Sequence, residues 1–180
     1  MAKILTIANQ KGGVGKTTTS VNLAASLAAT KRRVLMIDLD PQGNATMGSA
    51  VDKHDLEFTS CDVLMGRTPI REAIQYVEAV GYSILPANAD LTEAEVSLMQ
   101  AERREFRLKE ALAPVVAEFD YIIIDCPPSL NMLTVNALVA ATGVLIPMQC
   151  EYYALEGLSA LTRTIESIRQ SVNPDLQVEG

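Results

Sequence analysis

The sequence contains no tryptophan, three phenylalanines and five tyrosines, so aromatic residues fill only 4% of its 180 positions. An aromatic-rich β-sandwich is disfavoured by that shortage. Histidine occurs once, as His54, and cysteine three times, as Cys61, Cys126 and Cys150, far apart along the chain. These counts argue against a zinc site and against a disulfide framework, and they fit a reducing cytoplasm. No apolar run reaches the roughly 20 residues of a membrane span. Residues 1–5 (MAKIL) run straight into a strand-like segment and lack the layout of a signal peptide. No membrane partner is expected. Positive charge is also scarce, since 15 Lys and Arg against 22 Asp and Glu leave a net charge of −7. An acidic chain does not attract nucleic acid by bulk field, so any DNA contact needs a local basic patch. The clusters at 31–33 (KRR) and 103–104 (RR) are short and read as solvated helix ends.

What is abundant is aliphatic. Hydrophobic residues make up 48% of the chain, enough for one compact domain with a core of its own. Segments 3–9, 34–39, 82–86, 121–125 and 144–148 read as buried strands. Helical spacing covers 16–29, where Val21, Leu23, Ala24 and Leu27 should face inward, and also 132–141 and 154–172. A short helix is expected over 61–65, a second from Pro69 to Val77, and a long charged one from Thr92 to about Val116. Thr92 and Glu95 have capping-box spacing. Residues 44–59 read as loop with at most a helical turn. Strands alternating with helices predict an α/β fold: a doubly wound, mainly parallel sheet with helices on both faces. The segment 176–178 reads as the start of a further strand, so residues 1–180 are expected to be a single domain that is incomplete at its C-terminus.

The central motif is Lys11-Gly12-Gly13-Val14-Gly15-Lys16-Thr17-Thr18, between a strand and a helix. Backbone N–H groups of a glycine-rich loop, with the positive end of the following helix, cradle phosphate oxygens. Gly12, Gly13 and Gly15 allow the backbone angles and the close approach this needs. Lys16 would reach the β- and γ-phosphates of ATP, and the Thr17 hydroxyl would ligate Mg2+. The usual P-loop pattern places a glycine where this chain has Gln10, while Lys11 is an added cation.

Two strand ends supply carboxylates. Asp38 and Asp40 close the second strand ahead of Pro41-Gln42-Gly43, and alternate residues point to one side. Read alone they would be loop-start aspartates capping backbone amides. Beside a P-loop, carboxylates at the C-terminal edge of a parallel sheet lie where ligands bind. Asp125 ends the run YIIID and is followed by Cys126-Pro127-Pro128-Ser129. That is a Walker B pattern, which holds magnesium usually through water. Prolines 127 and 128 restrict the loop to a few states, as suits a switch.

Residues 11–18 (KGGVGKTT) resemble the deviant Walker A motif of the ParA/MinD superfamily, whose signature is the early lysine. The resemblance implies that Lys11 reaches phosphates bound by the other subunit of an ATP-dependent homodimer. It likens residues 38–44 (DLDPQGN) to switch I, with Pro41 and Gln42 in the moving turn. There the position of Asp40 orients or activates the attacking water, and that of Asp38 lies near magnesium. Residues 126–129 resemble switch II. The segments 44–46, 85–87 and 149–158 are similar to the ParA/Soj branch. The function implied is ATP hydrolysis in chromosome or plasmid partitioning, with a ParB-like activator and nonspecific DNA as partners of the full-length protein. A MinD-like or cargo-positioning ATPase acting on a membrane or scaffold is the alternative. A cluster-binding relative, such as the nitrogenase iron protein, would need a partner for Cys126 that the spacing does not provide, so Cys126 reads as a small buried residue.

Overall fold

Runs of Val, Ile and Leu at the strand positions build a sheet that is buried on both faces. The structure, a computed structural model, describes residues 2–149 and 154–180. Cys150 and residues 151–153 of the 149–158 segment lie outside the described residues. The described strands are β1 (Lys3–Ile7), β2 (Val34–Asp38), β3 (Gln75–Val77), β4 (Tyr82–Leu85), β5 (Tyr121–Asp125), β6 (Gly143–Leu145) and β7 (Gln177–Val178). They form one sheet in the order β3-β4-β2-β5-β1-β6-β7, parallel throughout except for the β3–β4 pair.

Side-chain alternation divides the strands between two cores, as the two-residue strand period requires. Ile122 and Ile124 of β5 join Leu35 and Ile37 of β2 on one face, and Ile123 joins Val34 and Met36 on the other. Helix α1 (Lys16–Ala29) covers the second face, where Ala24 is fully buried and Val21, Leu23 and Leu27 pack part-buried at its margin. The first face is covered by α3 (Ser60–Leu64), α5 (Leu91–Leu98), α6 (Arg107–Leu112), α7 (Met132–Ala140) and α8 (Ala154–Ser171). Two shorter helices, α2 (Asn44–Gly48) and α4 (Ile70–Ala73), complete the set among the described residues. The α/β class, the mainly parallel sheet and the helices on both faces are as expected.

Three local expectations are corrected. The helix expected from Pro69 to Val77 ends at Ala73, and the chain turns extended at Ile74 (ψ 131°). The residues beyond it, rich in β-formers, pair antiparallel with β4 through a turn closed by Gly81 at φ 75°. The long helix expected over 92–116 is broken. Arg103 adopts a left-handed φ of 50°, and a 3₁₀ turn (Arg104–Phe106) leads into α6. The break is held by the buried amide of Asn136 on α7. That amide accepts from Leu108 N–H at 3.0 Å and donates to the Arg104 carbonyl at 2.8 Å. A side-chain amide from another helix thus replaces the helix's own capping, an effect periodicity does not reveal. Finally, the capping box lies at Thr59 and Asp62, ahead of α3, and not at Thr92 and Glu95.

Candidate functional site

Register brings the site together. Ile7 of β1 pairs with Asp125 of β5, and Asp125 pairs with Asp38 of β2, so three adjacent parallel strands end level. The loop after β1, the carboxylate of β5 and the turn after β2 therefore share one ledge at the C-terminal edge of the sheet. There Gly12, Gly13, Gly15, Lys16, Thr17, Thr18, Asp40, Gln42, Asn44 and Pro128 line a cleft of about 340 Å3.

Within the loop, Gly13 (φ 74°) and Gly15 (φ 93°) occupy left-handed conformations that need glycine. Gly12 does not, but no heavy atom lies within 4 Å of where a Cβ would stand on any of the three. The loop's front is open to a ligand. Gly15 caps α1 without a side-chain acceptor, which leaves the first N–H groups of a 14-residue helix to face the cleft. Lys16 is buried, and its Nζ donates to the Lys11 carbonyl at 3.0 Å. Burial lowers the affinity of its ammonium for the proton, and the nearby Asp125 and Asp40 carboxylates oppose that shift. An anion in the cleft would add a further opposing charge. Val14 is buried behind the loop, and Lys11 stands at its start, outside the cleft lining.

Asp125 is fully buried. One of its oxygens accepts from Thr17 Oγ1 at 2.8 Å and the other from Ser20 Oγ at 2.7 Å. Burial raises its pKa to about 6 despite those two donors. Ser20 was not foreseen, although it lies one helical turn beyond Lys16 and three residues beyond Thr17, spacing that puts it on the same face. The Thr17 hydroxyl and the Asp125 carboxylate offer hard oxygen that suits Mg2+, whereas Asp38, the other carboxylate expected near the metal, has both oxygens engaged by Thr46 and Asp40 N–H. Among the described residues no cluster of three or more His, Cys, Asp or Glu could hold a metal ion alone. A metal here would thus rest on few protein ligands together with phosphate, the usual mode for magnesium. Asp125, with both oxygens engaged, would reach it through water.

Asp38 is placed differently from Asp40. It is fully buried and ties three pieces of chain together. It accepts from Asp40 N–H at 3.0 Å, and from the Thr46 N–H at 2.8 Å and Thr46 hydroxyl at 2.7 Å. Thr46 in turn accepts from Ala87 N–H at 2.9 Å. Burial raises the Asp38 pKa to about 7. Asp40 reaches the cleft itself, and its Oδ1 accepts from Gln42 N–H at 2.9 Å. Pro128 faces the cleft, Pro127 is buried behind it, and Pro41 and Gln42 border a neighbouring cleft. Cys61 and Cys126 are buried free thiols, and burial pushes the Cys126 pKa well up.

Asn9 also escaped the sequence reading. Its amide accepts from Lys11 N–H at 3.0 Å and donates to the Pro147 carbonyl at 2.8 Å, and Gln149 Nε2 donates to the Gly13 carbonyl at 3.2 Å. The phosphate loop is therefore tied to the segment leaving β6. Nothing in the motif spacing signals that tie.

The chain matches the AAA domain family over residues 2–178. It is 56% identical over 180 residues to the chromosome partitioning protein ParA of Myxococcus xanthus, covering 100% of this chain and 64% of that protein. It is 51% identical to the sporulation initiation inhibitor protein Soj of Bacillus subtilis, covering 100% of this chain and 71% of that one. A solved structure named cobyrinic acid a,c-diamide synthase, from Mycobacterium smegmatis with bound ADP and magnesium, superposes with a TM-score of 0.95. It shares 45% identity over 99% of this chain and 72% of its own. The chain spans about two thirds of the length of these relatives. With this similarity along its whole length, and with a P-loop seated on a parallel sheet edge, the chain belongs to the ParA/Soj family of P-loop proteins.

Proposed function

We propose that this chain is the nucleotide-binding portion of a partition ATPase, a single P-loop domain that binds ATP with magnesium and hydrolyses it slowly. The observation that supports this reading best is the meeting of Lys16, Thr17 and Asp40 on one cleft, with Asp125 directly behind Thr17. The loop amides of Gly12 to Thr18 and the Lys16 ammonium bind the β- and γ-phosphates. Thr17 and Asp125 would hold magnesium, and Asp38 steadies the end of β2 through Thr46. Magnesium bound there would supply positive charge to offset what builds on the phosphate oxygens. Asp40 orients a water against the γ-phosphorus. The bond from that phosphorus to the β,γ-bridging oxygen breaks, ADP leaves, and the water's oxygen departs in inorganic phosphate. Pro41 and Gln42 with Pro127 and Pro128 form the turns that report the γ-phosphate.

Lys11 acts across a homodimer on phosphates held by the partner, which makes hydrolysis conditional on the meeting of two loaded subunits. In the whole protein, a cytoplasmic ATPase of the nucleoid, the dimer binds DNA nonspecifically and a ParB-like activator drives turnover. Among the described residues no helix is long and apolar enough to cross a membrane.

Fluorescent ATP titration and steady-state phosphate release test this reading. Lys16→Ala is expected to lose most ATP affinity. Asp40→Ala should slow release while ATP-dependent dimerisation persists, and Lys11→Ala should abolish the dimer's turnover. Normal ATP affinity in Lys16→Ala would remove the phosphate-cradle assignment, and unchanged turnover in Lys11→Ala would remove the role in trans.

A further inference from the structure

We infer that Lys53, a residue outside every recognised motif, is a positioning residue that holds the Asp40–Gly43 turn in its hydrolysis-competent shape. The inference rests on the role proposed for Asp40. Lys53 Nζ donates to the Gln42 carbonyl at 2.6 Å, while the N–H of the same Gln42 donates to Asp40 Oδ1. Gln42 is thus fixed at both of its backbone polar groups, one by Asp40 and one by Lys53. The Lys53 stem also closes over Gly43. A Cβ built there would stand 2.9 Å from Lys53 Cδ and 2.7 Å from the Ala87 carbonyl, and Gly43 already sits at φ 62°. Lysine, glycine and the Ala87 strand end are fitted to each other.

The surroundings give the lysine its leverage. Behind the turn lies a cleft of about 350 Å3 lined by Pro41, Gln42, Lys53, His54, Asn88 and Ala89. Pro41 and Gln42 border this opening while Gly43 packs against Ala87, so the cation from residue 53 restrains the side of the turn that packing leaves open. Lys53 itself is well founded. Val51 is buried and its N–H donates to the Thr46 carbonyl at 3.2 Å. Asp52 accepts from His54 N–H at 2.9 Å through its side chain and from Asp55 N–H at 3.2 Å through its carbonyl, which turns the chain around residue 53. With one oxygen of Asp40 taken up by Gln42, the other is left to meet water in the nucleotide cleft. Loss of the Lys53 tie frees Gln42, and with it the aim of that oxygen.

The substitution to test is Lys53→Met, which keeps the stem over Gly43 and removes the donor, with Lys53→Arg as the rescuing variant. A charge-assisted hydrogen bond of this kind corresponds to about a tenfold effect. Amide hydrogen exchange at Gln42 and Gly43 should quicken by about that factor in Lys53→Met. Its kcat should fall about tenfold while the KM for ATP stays within about twofold, and Lys53→Arg should recover both readouts. Unchanged exchange at Gln42 and Gly43 overturns the inference, as does a rise in KM that matches the fall in kcat. The Asp40→Ala control separates the two readings. If Asp40→Ala retains full turnover, the assignment of Asp40 has failed, while the exchange measurement still decides whether Lys53 holds the turn.

Discussion

Replacing Asp125 by asparagine should stabilise the nucleotide-free protein while weakening its response to Mg-ATP. The carboxylate is fully buried, and its pKa stands at about 6 against an ordinary 3.8, chiefly because burial penalises the charge. The sign follows from linkage. A carboxyl whose pKa is higher folded than unfolded costs stability once ionised, so its penalty is absent below about pH 3, grows between about pH 4 and pH 6 and is complete by about pH 8. A difference of roughly two units at 1.36 kcal/mol each sets the full penalty near 3 kcal/mol. Asparagine keeps an acceptor for one of the two hydroxyls, Thr17 or Ser20, and a donor for the other, so part of the bonding survives. A net gain of about 1–2 kcal/mol at pH 8 remains, equal to a rise in Tm of roughly 2–8 °C for a chain of this size. Thermal unfolding in EDTA at pH 8 and pH 4.5 measures it, and the gain should shrink at the lower pH. Adding Mg-ATP should raise the Tm of the native chain, since a ligand that binds only the folded state stabilises it. The variant should respond weakly. If Asp125→Asn is instead less stable than the native chain at pH 8 without magnesium, the carboxylate is a net structural acceptor and the reasoning fails.

Three further outcomes are expected. Asn136→Ala strands the Leu108 N–H and removes the donor to the Arg104 carbonyl, at a cost of about 3 kcal/mol in urea unfolding. Gly43→Ala places a methyl against the Ala87 carbonyl at a left-handed φ, so it should cost about 2–3 kcal/mol, and the same unfolding assay would show a harmless change if the turn could yield. Asp120 accepts hydrogen bonds from the Arg33 side chain and backbone, which hold its pKa down at about 2. Its contribution is therefore present above about pH 4 and lost as pH falls towards 2, so native and Asp120→Asn proteins should differ in stability at pH 6 and converge at pH 2.

Much of this was legible in the residues, for identifiable reasons. The runs at 3–7, 34–38 and 121–125 declare themselves because a strand buried on both faces is apolar at nearly every position. The phosphate loop and its carboxylates are legible because their chemistry restricts residue type at fixed spacing. The resemblance separates Asp38 from Asp40 by role, but their different facing was hidden. Both sit at the same strand end, and only the position of Thr46 on α2 shows that one faces inward to a hydroxyl and the other to the cleft. Asn136 and Lys53 were hidden for a related reason. Each satisfies backbone groups more than ten residues away, and one sequence carries no mark of such pairing.

The level ending of β1, β5 and β2 has a consequence for how such a chain can change over time. Each strand presents alternate residues to opposite cores, so losing one residue inside 121–125 would exchange the two cores' side chains and draw Asp125 back by about 3.3 Å. The same loss in the turn near 99–103 would leave that ledge where it is. Length is frozen along the three central strands and free in the connections beyond them, and there related chains can acquire new habits without disturbing the phosphate loop.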